Sequence, residues 1–530
     1  MKKTETNETS NQEMVTISRA EYEKLQAQGQ RISELEKHVD ILMDALRLAG
    51  HQRFGPSSEK SNEEIMDQLS FLFNEAEVFA VPEEENIVVV PEHKRHKKHE
   101  YTLDSIPEDV PTEVVEHTPE GEDLVCPQCG DTMTEIGVEV VKKLKMVPVR
   151  FVVEEHRYHT YACQTCNKED IEAPVVKAPR EKSIIPGSFA TPEAISHIMV
   201  QKFVMGSPIY RQEQEMKRMG IQLSRQTMSN WILRASEEYL TPVYEQLHKE
   251  LLTREVLHAD ETTLQVLHEP GKKPQSESYM WLYRTSGDTK NPIVLYEYQP
   301  GRGAKHPKDF LTGFRGYLHT DGYAGYHSLP KDITVVGCWA HARRKFDEAM
   351  KSRPKGKGKG GSASQGLAYC DLLFKQENGW ADLEPERRYE ERLKQAKPVL
   401  DAMLSWANSR TAAPKSALGK AFHYLKEQWP YLTNYLKDGR LELSNNRAER
   451  SIKPFVIDRK NFLFANTPKG ATGSAVIFSM IQTAIENELD PYRYLTWLMK
   501  TANNADLTDP KAIQKLLPWN APEGCSVTRK

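Results

Sequence analysis

Val256-Leu257-His258-Ala259-Asp260-Glu261-Thr262 is the stretch that decides the fold. Before Glu255 the apolar residues recur with a helical period; here the period drops to two. Val256, His258 and Asp260 then share one face of a strand, and Leu257 and Ala259 take the other. Further strands read outward from it at Tyr279–Arg284 and Ile293–Tyr298. Gly301-Arg302-Gly303 lacks the length and the lysine of a phosphate loop and reads as a turn. Phe310–Phe314 ends a short helix. Tyr317, His319 and Asp321 again share a strand face, and Thr334–Cys338 forms the next strand, leading into Trp339-Ala340-His341-Ala342-Arg343-Arg344-Lys345-Phe346.

A second stretch, Leu443-Ser444-Asn445-Asn446-Arg447-Ala448-Glu449-Arg450-Ser451-Ile452-Lys453, reads as a loop turning into a helix. Asn445 or Asn446 can cap that helix. Glu449 falls in its first turn, beside Arg450 and Lys453. A carboxylate flanked by cations suits a site that holds metal ions against phosphate; the plainer alternative is a capping box, Asn446-x-x-Glu449, with a solvated basic face. Between the two stretches, Lys351–Gly366 reads as a flexible loop, followed by helix to about Lys437. Trp380, Trp406 and Trp429 in this block suit core packing or stacking on a flipped base. Beyond Glu449, Asn461–Ala465 looks strand-like, Lys469–Gly473 a loop and Ala475–Asn487 an amphipathic helix. A helical region closes the chain near Leu516-Leu517-Pro518-Trp519.

The 530 residues allow several domains. With 38% hydrophobic and 28% charged residues and a net charge of −4, any nucleic-acid role must rest on local basic patches. Seven cysteines do not make a disulfide scaffold in a chain this long. The opening Met1–Ser10 is polar, with no signal peptide, and the best apolar window, Ala475–Ile485, is far short of the ~20 residues of a membrane span. The expectation is a cytoplasmic protein.

Leu25, Ile32, Val39 and Leu46, with Leu35, Leu42 and Ala49, form an a/d seam, readable as a dimer zipper or as a helix packed on its own protein. Phe54-Gly55-Pro56-Ser57-Ser58-Glu59-Lys60 is a turn signal. In the linker that follows, His93-Lys94-Arg95-His96-Lys97-Lys98-His99 can grip phosphates or serve as a solvated tether. Cys126-Pro127-Gln128-Cys129 and Cys163-Gln164-Thr165-Cys166, with strand-like runs Val138–Val141 and Val147–Val153 between them, carry the pattern of a structural zinc site. His156 and His159 are weaker substitute ligands. From Thr191 to Tyr239 the pattern is helical. Thr191-Pro192 and Ser207-Pro208 mark helix starts, Gly220 a helix end. Ser224 caps a third helix, Arg225–Glu238, whose buried side is Met228, Trp231, Ile232 and Ala235. Arg225, Gln226, Asn230 and Arg234 can reach base edges, so this is either a helix-turn-helix or an ordinary three-helix packing unit.

Phosphodiester chemistry needs an activated nucleophile, charge compensation and a stabilised leaving oxygen, which two divalent ions supply together. Mg²⁺ takes carboxylate oxygens, one or two per ion. Asp260 and Asp321 are expected to hold two Mg²⁺ ions, or Mn²⁺, between them, with Glu449 completing the second coordination shell. His258 and His319 are expected to pack behind the carboxylates; facing the ions, they would favour Mn²⁺.

His258-Ala259-Asp260-Glu261-Thr262, Arg315-Gly316-Tyr317-Leu318-His319-Thr320-Asp321-Gly322-Tyr323, Cys338–Phe346 and Asn445-Asn446-Arg447-Ala448-Glu449-Arg450 together resemble the DDE transposases of the insertion sequence sixty-six family. The likeness runs in order from Phe54–Lys60, through the paired CxxC and Tyr210-Arg211-Gln212-Glu213, to Arg459-Lys460-Asn461 and Leu516–Trp519. One departure is Ser444, where the family often has an acid. The resemblance implies a ribonuclease-H-like α/β core interrupted by an all-helical insertion; with the readings above, the expected chain is multidomain α+β, that core being preceded by a coiled-coil segment, a zinc-binding module and a helix-turn-helix. It implies cleavage at transposon ends and joining of the 3′-OH to target DNA, with Asp260, Asp321 and Glu449 at the catalytic positions. Arg343, Arg344, Arg450, Lys453, Arg459 and Lys460 are the expected DNA contacts on the core. Expected partners are double-stranded terminal repeats and target DNA, a homodimer or higher oligomer, and companion proteins of the same element, in a bacterial nucleoid. The expected divisions are 1–60, 61–122, 123–185, 186–250, 251–345, 346–440, 441–488 and 489–530. A hydrolytic nuclease and a transposase-derived DNA-binding regulator are the alternatives; an intact acid set argues against the regulator.

Overall fold

The computed structural model describes residues 153, 155–157, 159–162, 175–177, 181–287, 289–352 and 361–527. The seam, linker, basic run and four paired cysteines of the sequence reading lie outside these residues. β1 (Thr160–Ala162) and β2 (Val175–Lys177) pair antiparallel. The chain then enters four helices: α1 (Pro192–Phe203), α2 (Ile209–Arg218), α3 (Arg225–Ala235) and, through a π-helical turn at Ser236–Leu240, α4 (Thr241–Leu252).

The caps of α1 and α3 follow from their sequences. Thr191 Oγ1 accepts from the Ala194 amide at 3.1 Å, with Pro192 at the first helical position, and Ser224 Oγ accepts from the Thr227 amide at 3.1 Å. Ser207-Pro208 departs from expectation. Helix α2 begins at Ile209 with Pro208 in the cap position, because the Ser207 carbonyl is taken by the Gln212 side chain at 3.0 Å. Gly220 ends α2 with φ +83°, a conformation open to glycine. Met228, Trp231, Ile232 and Ala235 form the buried side of α3.

A five-stranded mixed sheet follows, in the order β5-β4-β3-β6-β7. The strands are β3 (Val256–Gln265), β4 (Glu277–Thr285), β5 (Val294–Gln299), β6 (Gly316–His319) and β7 (Ile333–Val336), with the short helix α5 (Lys305–Phe310) before β6. β3 to β5 form an antiparallel meander, whereas β3, β6 and β7 run parallel. β3 is central and covered on both faces, so Val256, Leu257, His258 and Ala259 are all buried. β6 stops at His319, two residues sooner than the alternation suggested, so Asp321 sits in the loop beyond the strand.

α6 (Trp339–Lys351) leaves β7 and opens a helical block: α7 (Ser362–Gly379), α8 (Pro385–Glu391), α9 (Lys397–Asn408) and α10 (Ala417–Leu432). The loop expected at Lys351–Gly366 is shorter than read, because α7 starts at Ser362; Gly366 lies against the Phe346 ring, where a Cβ would approach to 2.4 Å. Trp380 and Trp406 are buried in the second hydrophobic core, and Trp429 packs edge-on against Trp339, so all three are packing residues. The return of the chain is pinned by Arg392, fully buried. Its guanidinium pairs with Glu377 at 2.7 Å and donates to the carbonyls of Tyr435, Asp438 and Leu441 at 2.7–2.9 Å. A buried charge so satisfied holds one geometry.

α11 (Asn446–Phe462) then crosses the sheet, followed by α12 (Pro468–Glu486), α13 (Pro491–Ala502) and α14 (Pro510–Gln514). Two expectations fail here. Asn461 and Phe462 are helical, and α11 breaks only at Leu463 with φ +60°; Ala465 alone bridges to Val266. Lys469–Gly473 is helix, started by the Thr467 cap and Pro468. α12 covers the β5 edge: its Ser479 and Thr483 hydroxyls accept from the Tyr296 and Val294 amides at 2.7 and 3.0 Å. That satisfies an edge that would otherwise invite pairing. Among the described residues no helix is long and apolar enough to cross a membrane.

Candidate active site

Three elements meet beside the middle of β3, just past the end of β6. β3 supplies Asp260, paired in register with Leu282 of β4, and its Oδ1 accepts from the Glu261 amide at 2.8 Å. β6 runs beside it in parallel, His258 opposite His319, so the loop after β6 emerges next to Asp260. Asp321 opens that loop with a side-chain turn: its Oδ1 accepts from the Tyr323 amide at 2.9 Å. α10 of the helical block holds the same loop, through Tyr424 Oη to the Asp321 carbonyl at 3.0 Å and Gln428 Nε2 to the Gly322 carbonyl at 3.3 Å.

Glu449 arrives in the first turn of α11. Asn445 does not cap this helix with its side chain, nor does an Asn446–Glu449 box form. Instead the buried Asn445 amide turns to the sheet, donating to the Ala259 carbonyl at 2.8 Å with its Oδ1 3.0 Å from His258 Nδ1. Its backbone amide donates to Cys338 Sγ at 3.2 Å. The tertiary contacts outweigh the local cap. Glu449 Oε2 lies 3.9 Å from Arg344 Nη2, and Oε1 lies 3.7 Å from His341 Nδ1.

The electrostatics follow from this convergence. Burial pushes the Asp260 carboxyl well above its usual range, and the charges of Asp321, Glu261 and Glu449 push the same way. Glu261, on the opposite strand face, is raised to about 7 by burial and by Asp321, against the opposing pull of Arg302. It is held by Arg302 Nη2 at 2.8 Å and by the Tyr326 hydroxyl at 2.6 Å. His258 and His319 stack with ring centres 4.3 Å apart and are fully buried, with Glu442 Oε1 3.7 Å from His258 Nε2. Burial lowers His258 to about 3, and His319 falls well below its ordinary value, so both rings are neutral.

Like charges gathered out of water call for a cation. The orphaned, buried Glu449 Oε1 and His341 Nδ1 face each other with no hydrogen-bond partner, which fits an ion held at this corner. Asp260, Asp321 and Glu449 are the oxygen donors that a hard divalent ion takes. His341, Asn445 and Glu261 escaped the sequence reading as site residues. The only signal for His341 was its spacing of one helical turn from Cys338, just after a strand.

The expected DNA contacts divide. Arg344 faces Glu449, Lys453 is half-buried, and Arg450 and Lys460 are exposed. Arg343 pairs with Asp371 at 2.6 Å on the surface. Arg459 turns inward and donates to the Thr263 carbonyl and, at 2.7 Å, its hydroxyl, which ties α11 to β3. On α3, Arg225, Gln226, Asn230 and Arg234 are exposed, with Arg234 Nε 2.6 Å from Glu238 Oε1 and the Arg225 guanidinium 6.0 Å over the Tyr210 ring.

The mixed sheet thus brings two aspartates near a helix-borne glutamate. Two family models match the chain: "Transposase IS66 family" over residues 187–473 and "zinc-finger binding domain of transposase IS66" over residues 123–167. The chain belongs to the IS66 transposase family. The second match assigns a structural zinc to the paired CxxC segment. The uncharacterized protein y4qI of Sinorhizobium fredii (strain NBRC 101917 / NGR234) is 28% identical over 534 residues, spanning 96% of this chain and 94% of that one. From the same organism, the uncharacterized protein y4hP is 29% identical, over 74% of this chain and 73% of its own.

Proposed function

We propose that the chain binds the ends of an insertion sequence, cleaves DNA there and joins the 3′-OH to target DNA, with Asp260, Asp321 and Glu449 as the catalytic acids. The observation that carries this reading is the grouping of the three carboxylates: burial raises Asp260 first, and the charges of Asp321 and Glu449 add to it. Two Mg²⁺ or Mn²⁺ ions bound there would compensate phosphate charge and lower the pKa of the attacking hydroxyl. The chain's own residues set the stage. Asp260 presents its oxygens from β3 and Asp321 from the loop after the parallel β6, and Glu449 closes the set from α11. Arg450, Lys453 and Lys460 on α11, with Arg343 and Arg344 on α6, offer positive charge to the backbone of the DNA.

The meander-then-parallel sheet, broken by a helical block between the second and third acids, supports a ribonuclease-H-like core in two parts, 251–345 and 441–488. The three-helix unit α1–α3, with a capped third helix and polar exposed face, supports a helix-turn-helix in which Arg225, Gln226, Asn230 and Arg234 read terminal-repeat sequence. Cys126, Cys129, Cys163 and Cys166 are assigned to the zinc, and 1–60 to a coiled coil that would join copies.

Asp260→Asn, Asp321→Asn and Glu449→Gln are each expected to abolish cleavage of end DNA while binding survives. Cleavage near the parental rate in any one removes that residue from the catalytic set. Nicked DNA without joined product in the unaltered protein would turn the reading to a hydrolytic nuclease.

A further inference from the structure

We propose that His341 ligates a divalent cation together with Glu449, and that its nitrogen makes this position favour a transition ion such as Mn²⁺ over Mg²⁺. The inference rests on the reading of Glu449 as a metal-binding acid and adds a ligand that the acid triad lacks.

The geometry comes from two helix starts. α6 begins directly after buried β7 and Cys338, which places His341 on its first turn. α11 begins at Asn446, latched by Asn445 to Ala259 and to Cys338, which places Glu449 on its own first turn. His341 Nδ1 and Glu449 Oε1 therefore meet 3.7 Å apart. That is too long for a hydrogen bond. Both atoms are shielded from solvent, and neither has a hydrogen-bond partner. An unmet buried polar atom costs roughly 1–3 kcal/mol, and a cation between these two would satisfy both at once. Ligand atoms about 2.0–2.2 Å from one ion lie roughly 3–3.6 Å apart, so a small side-chain adjustment seats an ion here.

The neighbours sharpen the assignment. Arg344 approaches the other carboxylate oxygen, Oε2, at 3.9 Å, which leaves Oε1 to His341. Cys338 Sγ lies within 4.8 Å of both ligand atoms. Its sulfur already accepts the Asn445 amide, so it serves to position α11. Imidazole nitrogen binds Mg²⁺ poorly and first-row transition ions better, which gives the metal preference its physical basis.

The test uses the full-length, zinc-loaded protein titrated with Mn²⁺ and followed by electron paramagnetic resonance. Expected in the unaltered protein is nitrogen modulation of the bound Mn²⁺ signal from a directly coordinated imidazole. His341→Ala and His341→Gln should lose that modulation and weaken Mn²⁺ binding by about tenfold or more, with a smaller change for Mg²⁺. Bound Mn²⁺ without nitrogen coupling in the unaltered protein overturns the inference, and this measurement needs no variant to fold. Unchanged Mn²⁺ affinity or retained modulation in both folded histidine variants overturns it as well. Glu449→Gln separates the two readings. If it leaves Mn²⁺ binding intact, the metal role of Glu449 falls and the histidine inference with it; if it abolishes binding while the histidine variants bind normally, only the histidine inference falls.

Discussion

The side-chain amide of Asn445 donates to the Ala259 carbonyl at 2.8 Å, one residue before Asp260. The residue preceding the glutamate helix is thereby fastened to the strand that carries the first aspartate. Asn445→Ala would leave the Ala259 carbonyl and His258 Nδ1 buried without partners, at a cost of about 1–3 kcal/mol. The expected outcome is a lower urea midpoint together with at least a tenfold slower cleavage of end DNA. Normal cleavage by a destabilised variant would mean that the latch stabilises the fold without setting the position of Glu449.

The helical block is part of the site as well as an insertion. Tyr424 and Gln428 hold the Asp321 loop from α10, and Gly322 sits between them with φ +99°. A Cβ at Gly322 would lie 2.9 Å from Gln428 Oε1. Gly322→Ala therefore combines backbone strain of roughly 1–3 kcal/mol with a displaced clamp. Tyr424→Phe loses one hydrogen bond, about 1 kcal/mol. Both variants are expected to bind end DNA normally and cleave it slowly, Gly322→Ala the more so. Equal loss of binding and cleavage, measured by gel shift and nicking assay, would point to a general folding defect instead.

What the sequence revealed tracks how local each determinant is. The two-residue period located β3, and short-range capping rules found the starts of α1 and α3. Asp321 was placed on a strand because its alternation with His319 continues past the point where pairing stops. Asn461–Ala465 looked like a strand because its apolar residues are dense; the backbone stays helical to Phe462 because Phe455 and neighbouring α11 residues are buried against the sheet. Lys469–Gly473 looked like a loop because of its two glycines. Gly473 instead lets α12 pass Leu233, whose Cδ2 would be 2.6 Å from a Cβ there. The three acids were singled out by their types and by family resemblance, and their role is the proposal made above. His341 and Asn445 were not, since their partners lie far along the chain and no local rule favours a cap residue that faces inward.

The stacked His258 and His319 give the fold an acid limit. Burial holds His258 at about 3 and His319 well below its ordinary value. Between these values and an unfolded pKa near 6.5, the unfolded chain binds protons that the folded one does not, so this contribution to stability is complete above pH ~6.5 and is lost as pH falls. Histidine ring resonances in NMR spectra should show two rings that do not titrate from pH 8 to 5. Titration of both near 6.5 would show them to be solvated.

The acids act in the opposite direction. Asp260 is raised in the folded state, so the stability it contributes is greatest at low pH and is lost as pH rises through its folded pKa. Without divalent ions, Asp260→Asn should melt higher than the parent at pH 8 and equal to it near pH 4. Adding Mn²⁺ should stabilise the parent more than the variant. A variant that melts lower at pH 8 in the absence of metal would show that Asp260 is stabilised by partners other than a cation.

The exposed edge of α3 sets the last expectation. Gln226 and Asn230 stand one helical turn apart with their side chains in solvent, whereas Arg234 is partly neutralised by Glu238. Amides that read bases affect only the matching sequence, at about 1–3 kcal/mol for each good contact, whereas cations that touch phosphate affect all sequences alike. Asn230→Ala and Gln226→Ala should therefore weaken binding to terminal-repeat DNA about tenfold or more and leave binding to unrelated duplex unchanged. Arg450→Ala on α11 should weaken both and make binding less sensitive to salt. If the α3 variants lose affinity equally for every duplex, that helix lies along the backbone and the sequence is read elsewhere.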